Sequence, residues 1–101
     1  MKLKLNKDEL NVFIHSMQQD ISMFQFNSDL ERKLITQILK VFLIQIIKRS
    51  MDLNLKISIK LDSATVLSLN FVLAQLDPID PFESITIRNI HGKINQVCLN
   101  I

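Results

Sequence analysis

The sequence predicts a mainly α-helical fold, with four helices in two strand-helix-helix halves and a small two-stranded β ribbon. Three observations support this prediction. Apolar and polar residues alternate strictly over residues 53–61, apolar residues elsewhere recur at threes and fours, and Asn, Asp and Ser stand at the expected helix starts. A chain of 101 residues fits one domain, with halves at about 1–52 and 53–101.

The strand signal is strongest over residues 53–61, where leucine and isoleucine occupy every second position and Asn, Lys and Ser lie between them. Successive side chains of a strand point to opposite faces, so this segment predicts one apolar and one basic face. A shorter copy of the pattern, residues 2–5, opens the chain. If a pseudo-two-fold axis relates the halves, the two strands pair antiparallel. Helices must then cover the apolar face, because an isolated two-stranded ribbon is marginally stable.

The first helix follows the first strand directly. Asn6 and Glu9 have the spacing of a capping box, in which each side chain accepts a hydrogen bond from the other residue's backbone N–H. One apolar stripe follows, formed by Leu10, Phe13, Ile14, Met17, Ile21 and Phe24. The pattern predicts an amphipathic helix over residues 7–25.

The second helix, predicted over residues 29–51, is the most apolar segment. Ser28 and Glu31 indicate another capping box at its start. One stripe consists of Ile35, Ile38, Leu39, Phe42 and Ile46, and further apolar residues extend around most of the circumference. Such a helix must be buried on several sides. Three short helices of the same chain can hardly cover it, so the sequence predicts a homo-oligomer, foremost a homodimer.

The third and fourth helices begin at further capping residues. Asp62 or Ser63 can cap a third helix over residues 64–76, whose predicted inward face is Val66, Leu67, Phe71 and Ala74. In the fourth helix, Asp80, Pro81 and Glu83 give the preferred order of cap, first-turn proline and acidic residue. Its apolar residues repeat at heptad-like intervals: Ile87, Ile90, Ile94, Val97 and Ile101.

The predicted oligomer interface combines the second helix with the heptad-like repeat of the fourth. Its residues are Ile38, Val41, Phe42, Ile87, Ile90, Ile94 and Val97. A charged residue at this interface, as in Ile94→Glu, is expected to dissociate the assembly or to unfold it.

The composition narrows the class of protein. With 48% apolar and 22% charged residues the chain is too apolar for disorder, and a net charge of +2 names no partner. The single Cys98 excludes an internal disulfide and fits a reducing compartment, so a cytoplasmic location is expected. The apolar run over residues 38–47 is too short for a membrane span, and the N-terminus lacks the apolar core of a signal peptide. Abundant Lys, Ile and Asn indicate an AT-rich bacterial or phage genome.

No catalytic, metal or nucleotide motif is apparent, so the expected protein is not an enzyme and has no cofactor. Asp77 adjoins two carboxylates, Asp80 and Glu83, that are already explained as capping residues. His15 and His91 lack a second metal ligand three or four residues away. Cys98 has no neighbouring base and is interpreted as a structural thiol.

The polar ribbon face offers the one specific alternative. Lys2, Lys4, Lys56 and Lys60 can point one way, and a two-stranded ribbon fits the DNA major groove. The order strand, helix, helix resembles the ribbon-helix-helix DNA-binding domains. That resemblance implies a fused pair of such units, in which the strand face reads bases and the second helix begins near a phosphate. Alternatively, the lysines protect an exposed face or edge strand from unwanted pairing.

Two functional hypotheses therefore remain. The sequence favours a noncatalytic protein that acts through protein–protein interaction as a homodimer; the alternative is a DNA-binding regulator. The surface charge discriminates between them. Lysines that converge on a face free of acidic groups would favour DNA, whereas Asp52, Asp62 or Glu9 lying among them would disfavour it.

Overall fold

The computed structural model describes residues 2–18, 24–51, 56–76, 78 and 80–99. The elements, in chain order, are β1 (Lys2–Asn6), α1 (Lys7–Met17), α2 (Asp29–Ser50), β2 (Lys56–Lys60), α3 (Ser63–Leu73) and α4 (Pro81–Cys98). The predicted fold class is confirmed, because four helices accompany a two-stranded antiparallel sheet in the order strand, helix, helix, strand, helix, helix.

The two halves repeat the same order of strand, helix and helix. The caps of α1 and α3, Asn6 and Asp62, lie 56 positions apart, and both helices have 11 residues. The starts of α2 and α4 lie 52 positions apart, because the connection between the helices is shorter in the second half. The similarity between the two halves therefore extends from the strands to the helices that follow them.

The ribbon has the register that a pseudo-two-fold axis requires. Leu3 lies opposite Ile59, and these two residues are also 56 positions apart, so the axis passes between them. Leu3, Leu5, Ile57 and Ile59 are all buried, whereas the intervening residues of both strands are exposed. The predicted alternation is confirmed over residues 56–60, and Leu55 lies outside the described residues.

The helices pack as the corners of a square beneath the ribbon. α1 and α3 each contact both α2 and α4, which places α2 and α4 at opposite corners. The rings of Phe13 from α1 and Phe42 from α2 lie 5.9 Å apart in this core. Together with the four aliphatic residues of the ribbon, they form one continuous apolar cluster.

The helix caps follow the predicted residues with one difference in partners. Asn6 and Glu9 form the complete capping box. The Ser28 hydroxyl accepts a hydrogen bond from the Glu31 backbone N–H, but the Glu31 carboxylate accepts from Asn27 instead of from Ser28. One of the four predicted reciprocal contacts is therefore replaced by hydrogen bonds from a neighbour, Asn27, without loss of either helix start.

The predicted inward face of α3 is wrong for two of its four residues. Val66 is buried and Phe71 is half-buried, but Leu67 and Ala74 are exposed. The buried face consists of Thr65, Val66, Ser68, Leu69, Val72 and Leu73. Since α3 is apolar on most sides, its periodicity does not select a face, and packing against α2 and α4 decides it. α1 is also shorter than predicted, because it ends at Met17.

Most of the predicted interface residues lie inside the single chain. Phe42, Ile87, Ile90 and Ile94 are at most 2% exposed, Ile38 and Val97 are half-buried, and Val41 is exposed. The 3-4 spacing in α4 reflects the core-facing stripe of an amphipathic helix, which has the same spacing as a coiled-coil seam. The four buried residues cannot contact a second copy unless the fold opens.

Candidate functional site

An apolar stripe lies along the outer face of α2. Leu30, Leu34, Val41, Ile44 and Met51 are 49–77% exposed, and Gln37 and Lys48, also exposed, complete a regular 3-4 spacing between them. We call these seven residues the outer stripe. The opposite face of the helix, with Leu39, Phe42 and Ile46, lies in the core. Five large exposed apolar side chains on one helix face, interrupted only by Gln37 and Lys48, make this face a candidate interaction surface.

The sequence pattern predicted this surface only in part. It identified α2 as apolar on nearly all sides, and Val41 belongs to the outer stripe. The other six members were not in the predicted interface, although their 3-4 spacing is present in the sequence. The signal was hidden because the inward stripe of α2 has the same periodicity and larger side chains.

The ribbon presents a basic outer face. Lys2, Lys4, Lys56 and Lys60 occupy the exposed positions of the two strands, together with Asn6 and Ser58. Lys2 lies directly opposite Lys60 across the ribbon. Like charges at opposed positions destabilise a sheet, so the arrangement is unfavourable for the isolated ribbon and favourable for binding an anion.

Further cations line the two grooves beside the ribbon. The groove between β1 and α4 contains Lys2, Lys4 and Lys93. The groove between β2 and α2 contains Lys48, Arg49 and Lys60. Each edge of the ribbon is thus flanked by three cationic side chains, on opposite sides of the pseudo-two-fold axis.

Two of these cations also cap the ribbon edges. Lys93 Nζ donates a hydrogen bond to the Lys4 carbonyl, and the Arg49 guanidinium donates one to the Ser58 carbonyl. Both donor–acceptor distances are 3.1 Å. Lys4 and Ser58 are opposed across the ribbon, and both of their carbonyls accept from side chains beside it, as expected for a non-hydrogen-bonded antiparallel pair. The contacts occupy edge groups that would otherwise be open to strand pairing. Edge protection therefore explains part of the cationic character.

Two acidic side chains lie at the ends of the ribbon. Glu9 Oε2 is 3.8 Å from Lys93 Nζ, and Glu9 also belongs to the capping box of α1. Asp62 follows β2 and caps α3, and the hydrogen bond from the Thr65 backbone N–H lowers the pKa of its carboxyl. Neither carboxylate occupies an outward position of a strand, and Asp52 lies outside the described residues. The lysines converge, but their surroundings are not free of acidic groups.

The starts of α2 and α4 carry carboxylates. Asp80 caps α4, and Glu83 Oε1 lies 3.3 Å from Nδ1 of His15 in the last turn of α1. At α2, Asp29 pairs with Arg32 and Lys33, and the hydrogen bond from Arg32 lowers the pKa of Asp29. Carboxylates repel phosphate, so the α4 start is unfavourable for the phosphate contact that the ribbon-helix-helix resemblance implies, whereas the carboxylate of Asp29 at the α2 start is offset by its cationic partners.

Of the remaining candidate residues, His91 has a hydrogen-bond partner, Cys98 packs against the core, and Asp77 lies outside the described residues. His91 Nε2 is 3.2 Å from Asn70 Oδ1, which links α4 to α3, and Cys98 is a half-buried free thiol. Among the described residues, no three His, Cys, Asp or Glu side chains are grouped as metal ligands. In the same part of the chain, no helix is both long and apolar enough to cross a membrane.

The sequence matches no protein-family model, and no curated protein or solved structure is significantly similar to the chain. Any proposal about function therefore depends on the two surfaces described above, the outer stripe and the basic outer face of the ribbon.

Proposed function

We propose that this chain is a noncatalytic interaction protein of the cytoplasm that forms a homodimer through the outer stripe of α2. The observation that supports the proposal is the exposure of five large apolar side chains, each about half exposed or more, on one face of a single helix. Fully burying one such side chain stabilises by roughly 1.5 to 3 kcal/mol, so covering the exposed part of all five would give a useful association energy.

Ile44→Glu is expected to convert the dimer to a monomer without unfolding it. Ile44 is 51% exposed, so a carboxylate there can stay hydrated in the monomer but would be desolvated in the dimer. Leu67→Glu on α3 is the matched control, since Leu67 is also 51% exposed but lies outside the outer stripe. Sedimentation at protein concentrations on the order of tens of micromolar measures the mass, and circular dichroism checks the fold.

Three results would be consistent with the proposal together: a dimeric native chain, a folded monomeric Ile44→Glu variant and a dimeric Leu67→Glu variant. A native chain that sediments as a monomer throughout this concentration range would contradict the homodimer.

The second candidate function is binding of duplex DNA by the basic ribbon. It is favoured by one observation, the placement of four lysines on a single outward face, with three further cations along its edges: Lys2, Lys4, Lys56 and Lys60 on the face, and Lys48, Arg49 and Lys93 beside it. A two-stranded ribbon fits the major groove, where the flanking phosphate backbones would approach the two edges. The side chains on this face are mainly lysines, which bind the phosphate backbone and therefore carry little sequence information. We expect weak DNA binding that tolerates many sequences.

Lys56→Ala combined with Lys60→Ala is expected to reduce the salt dependence of any DNA binding. Each lost phosphate contact removes about 0.9 from the slope of log affinity against log salt, so the double variant should flatten the slope by roughly one to two. Lys33→Ala with Arg88→Ala removes the same charge from exposed helix positions that belong neither to the ribbon nor to the lining of its two grooves, and should leave the slope less changed. Fluorescence anisotropy across a salt titration measures the slope for each variant. Equal slopes for the two double variants would contradict DNA binding by the ribbon.

A further inference from the structure

Six of the seven residues of the outer stripe, all except Leu30, have a pattern that is the same in both directions. From Leu34 onward its members are Leu34, Gln37, Val41, Ile44, Lys48 and Met51, at successive intervals of 3, 4, 3, 4 and 3. Reversing the order places Leu34 against Met51, Gln37 against Lys48 and Val41 against Ile44. Apolar residues thus match apolar residues, and polar match polar. A surface with this property is complementary to itself under a two-fold axis, as an isologous interface requires.

We infer that α2 packs antiparallel against α2 of a second copy, with the two-fold axis between Phe42 and Leu43. The inference rests on the proposed homodimer and specifies its geometry. In this arrangement Val41 lies opposite Ile44 of the second copy at the centre. The Gln37 side-chain carbonyl lies where it can accept a hydrogen bond from the Lys48 ammonium of the second copy.

Charge distinguishes this arrangement from a parallel one. A parallel pair would place Lys48 against Lys48 of the second copy inside the contact, and two desolvated ammonium groups repel each other strongly. The antiparallel register opposes no like charges along the stripe. The residues that flank the stripe are also compatible with the antiparallel arrangement. On one side Lys40 would lie opposite Ile47 of the second copy, where the aliphatic stem of the lysine can cover apolar surface. On the other side Ile38 would lie opposite Gln45.

The available area sets the strength of the dimer. Leu34 to Met51 spans about 26 Å along the helix axis, and two helices in contact over that length bury on the order of 1,000 Å² in total. Specific stable interfaces begin near this value, and the smallest ones are weak or transient. We therefore expect a dimer with a dissociation constant in the micromolar range.

Gln37→Glu tests the orientation through the sign of its effect. In the antiparallel pair each new carboxylate faces Lys48 of the second copy, so dimerisation should become roughly two- to tenfold tighter. In a parallel pair the two carboxylates would face each other, and dimerisation would weaken. Asn89→Asp adds the same charge at an exposed position of α4 and should leave the dissociation constant unchanged. Sedimentation at low ionic strength measures all three constants.

Cross-linking gives an independent answer. In a Cys98→Ser background, Leu34→Cys and Met51→Cys chains are purified separately and treated with a short bismaleimide, alone and mixed. The antiparallel register predicts covalent dimers in the mixture only, because identical positions lie about 26 Å apart along the helices. Covalent dimers from either variant alone would overturn the antiparallel inference and leave the homodimer standing. A stable dimer with no cross-link and no response to Gln37→Glu would place the interface elsewhere. A monomeric native chain would overturn both proposals.

Discussion

Ile57→Lys is expected to abolish cooperative folding, whereas Lys56→Ile, one position earlier in the same strand, should leave stability almost unchanged. Ile57 is 2% exposed on the inner face of the ribbon, and Lys56 is exposed on the outer face. Losing the buried isoleucine costs roughly 1.5 to 3 kcal/mol. Placing an ammonium group among Leu3, Leu5 and Ile59 costs several kcal/mol more.

The combined loss is comparable with the whole stability of a domain of this size, which is about 5 to 15 kcal/mol. Lys56→Ile changes a surface position and introduces a β-branched residue that suits a strand, so its effect should stay within about 0.5 kcal/mol. Thermal melts followed by circular dichroism compare the two variants. Equal losses of stability would show that both faces of the ribbon are covered, for example by a partner on the lysine face.

The ribbon was predictable because its sequence pattern has only one consistent solution. With a period of two, shifting the register by one residue would expose Ile57 and Ile59 and bury the lysines. The same argument located β1, although only Leu3 and Leu5 carry its apolar face. The pairing of the strands followed from the repeated strand-helix-helix plan, which the structure shows in the order of its elements and in the matching lengths of α1 and α3.

The faces of the helices were less predictable because several are apolar on more than one side. Val41 and Phe42 are neighbours in α2, yet Val41 is exposed and Phe42 is buried against Phe13. Periodicity permits either residue to face inward. Only the positions of α1 and α3 decide between them, and those positions depend on contacts between residues distant in sequence.

The cations beside the ribbon were also not predictable. Lys93 reaches the Lys4 carbonyl across 89 positions of sequence, and Arg49 reaches Ser58 across the connection from α2 to β2. Neither residue belongs to a local motif. Alternation identified the four lysines of the ribbon face, but the tertiary fold adds the cations at its edges. The net charge of the chain is small, but the cationic side chains are distributed unevenly over its surface.

Ile94→Glu is expected to unfold the monomer, whereas Ile85→Glu in the same helix should be tolerated. Ile94 is fully buried in the core, and Ile85 is 58% exposed. A glutamate at position 94 loses the burial of an isoleucine and either carries an unpaired charge into the core or takes up a proton with a raised pKa. Both routes destabilise, and the total should exceed about 4 kcal/mol, the range of severe core substitutions.

The two variants also separate the two explanations of the repeat in α4. If the repeat served an oligomer interface, Ile94→Glu would give a folded monomer with a sharp thermal transition. Because the repeat lies in the core of a single chain, we expect loss of the helical signal at 25 °C, or a melting temperature at least roughly 15 °C lower. Ile85→Glu should keep the native melting temperature within a few degrees. Circular dichroism combined with sedimentation measures fold and mass together, and a folded, monomeric Ile94→Glu variant would show that the buried position of Ile94 is wrong.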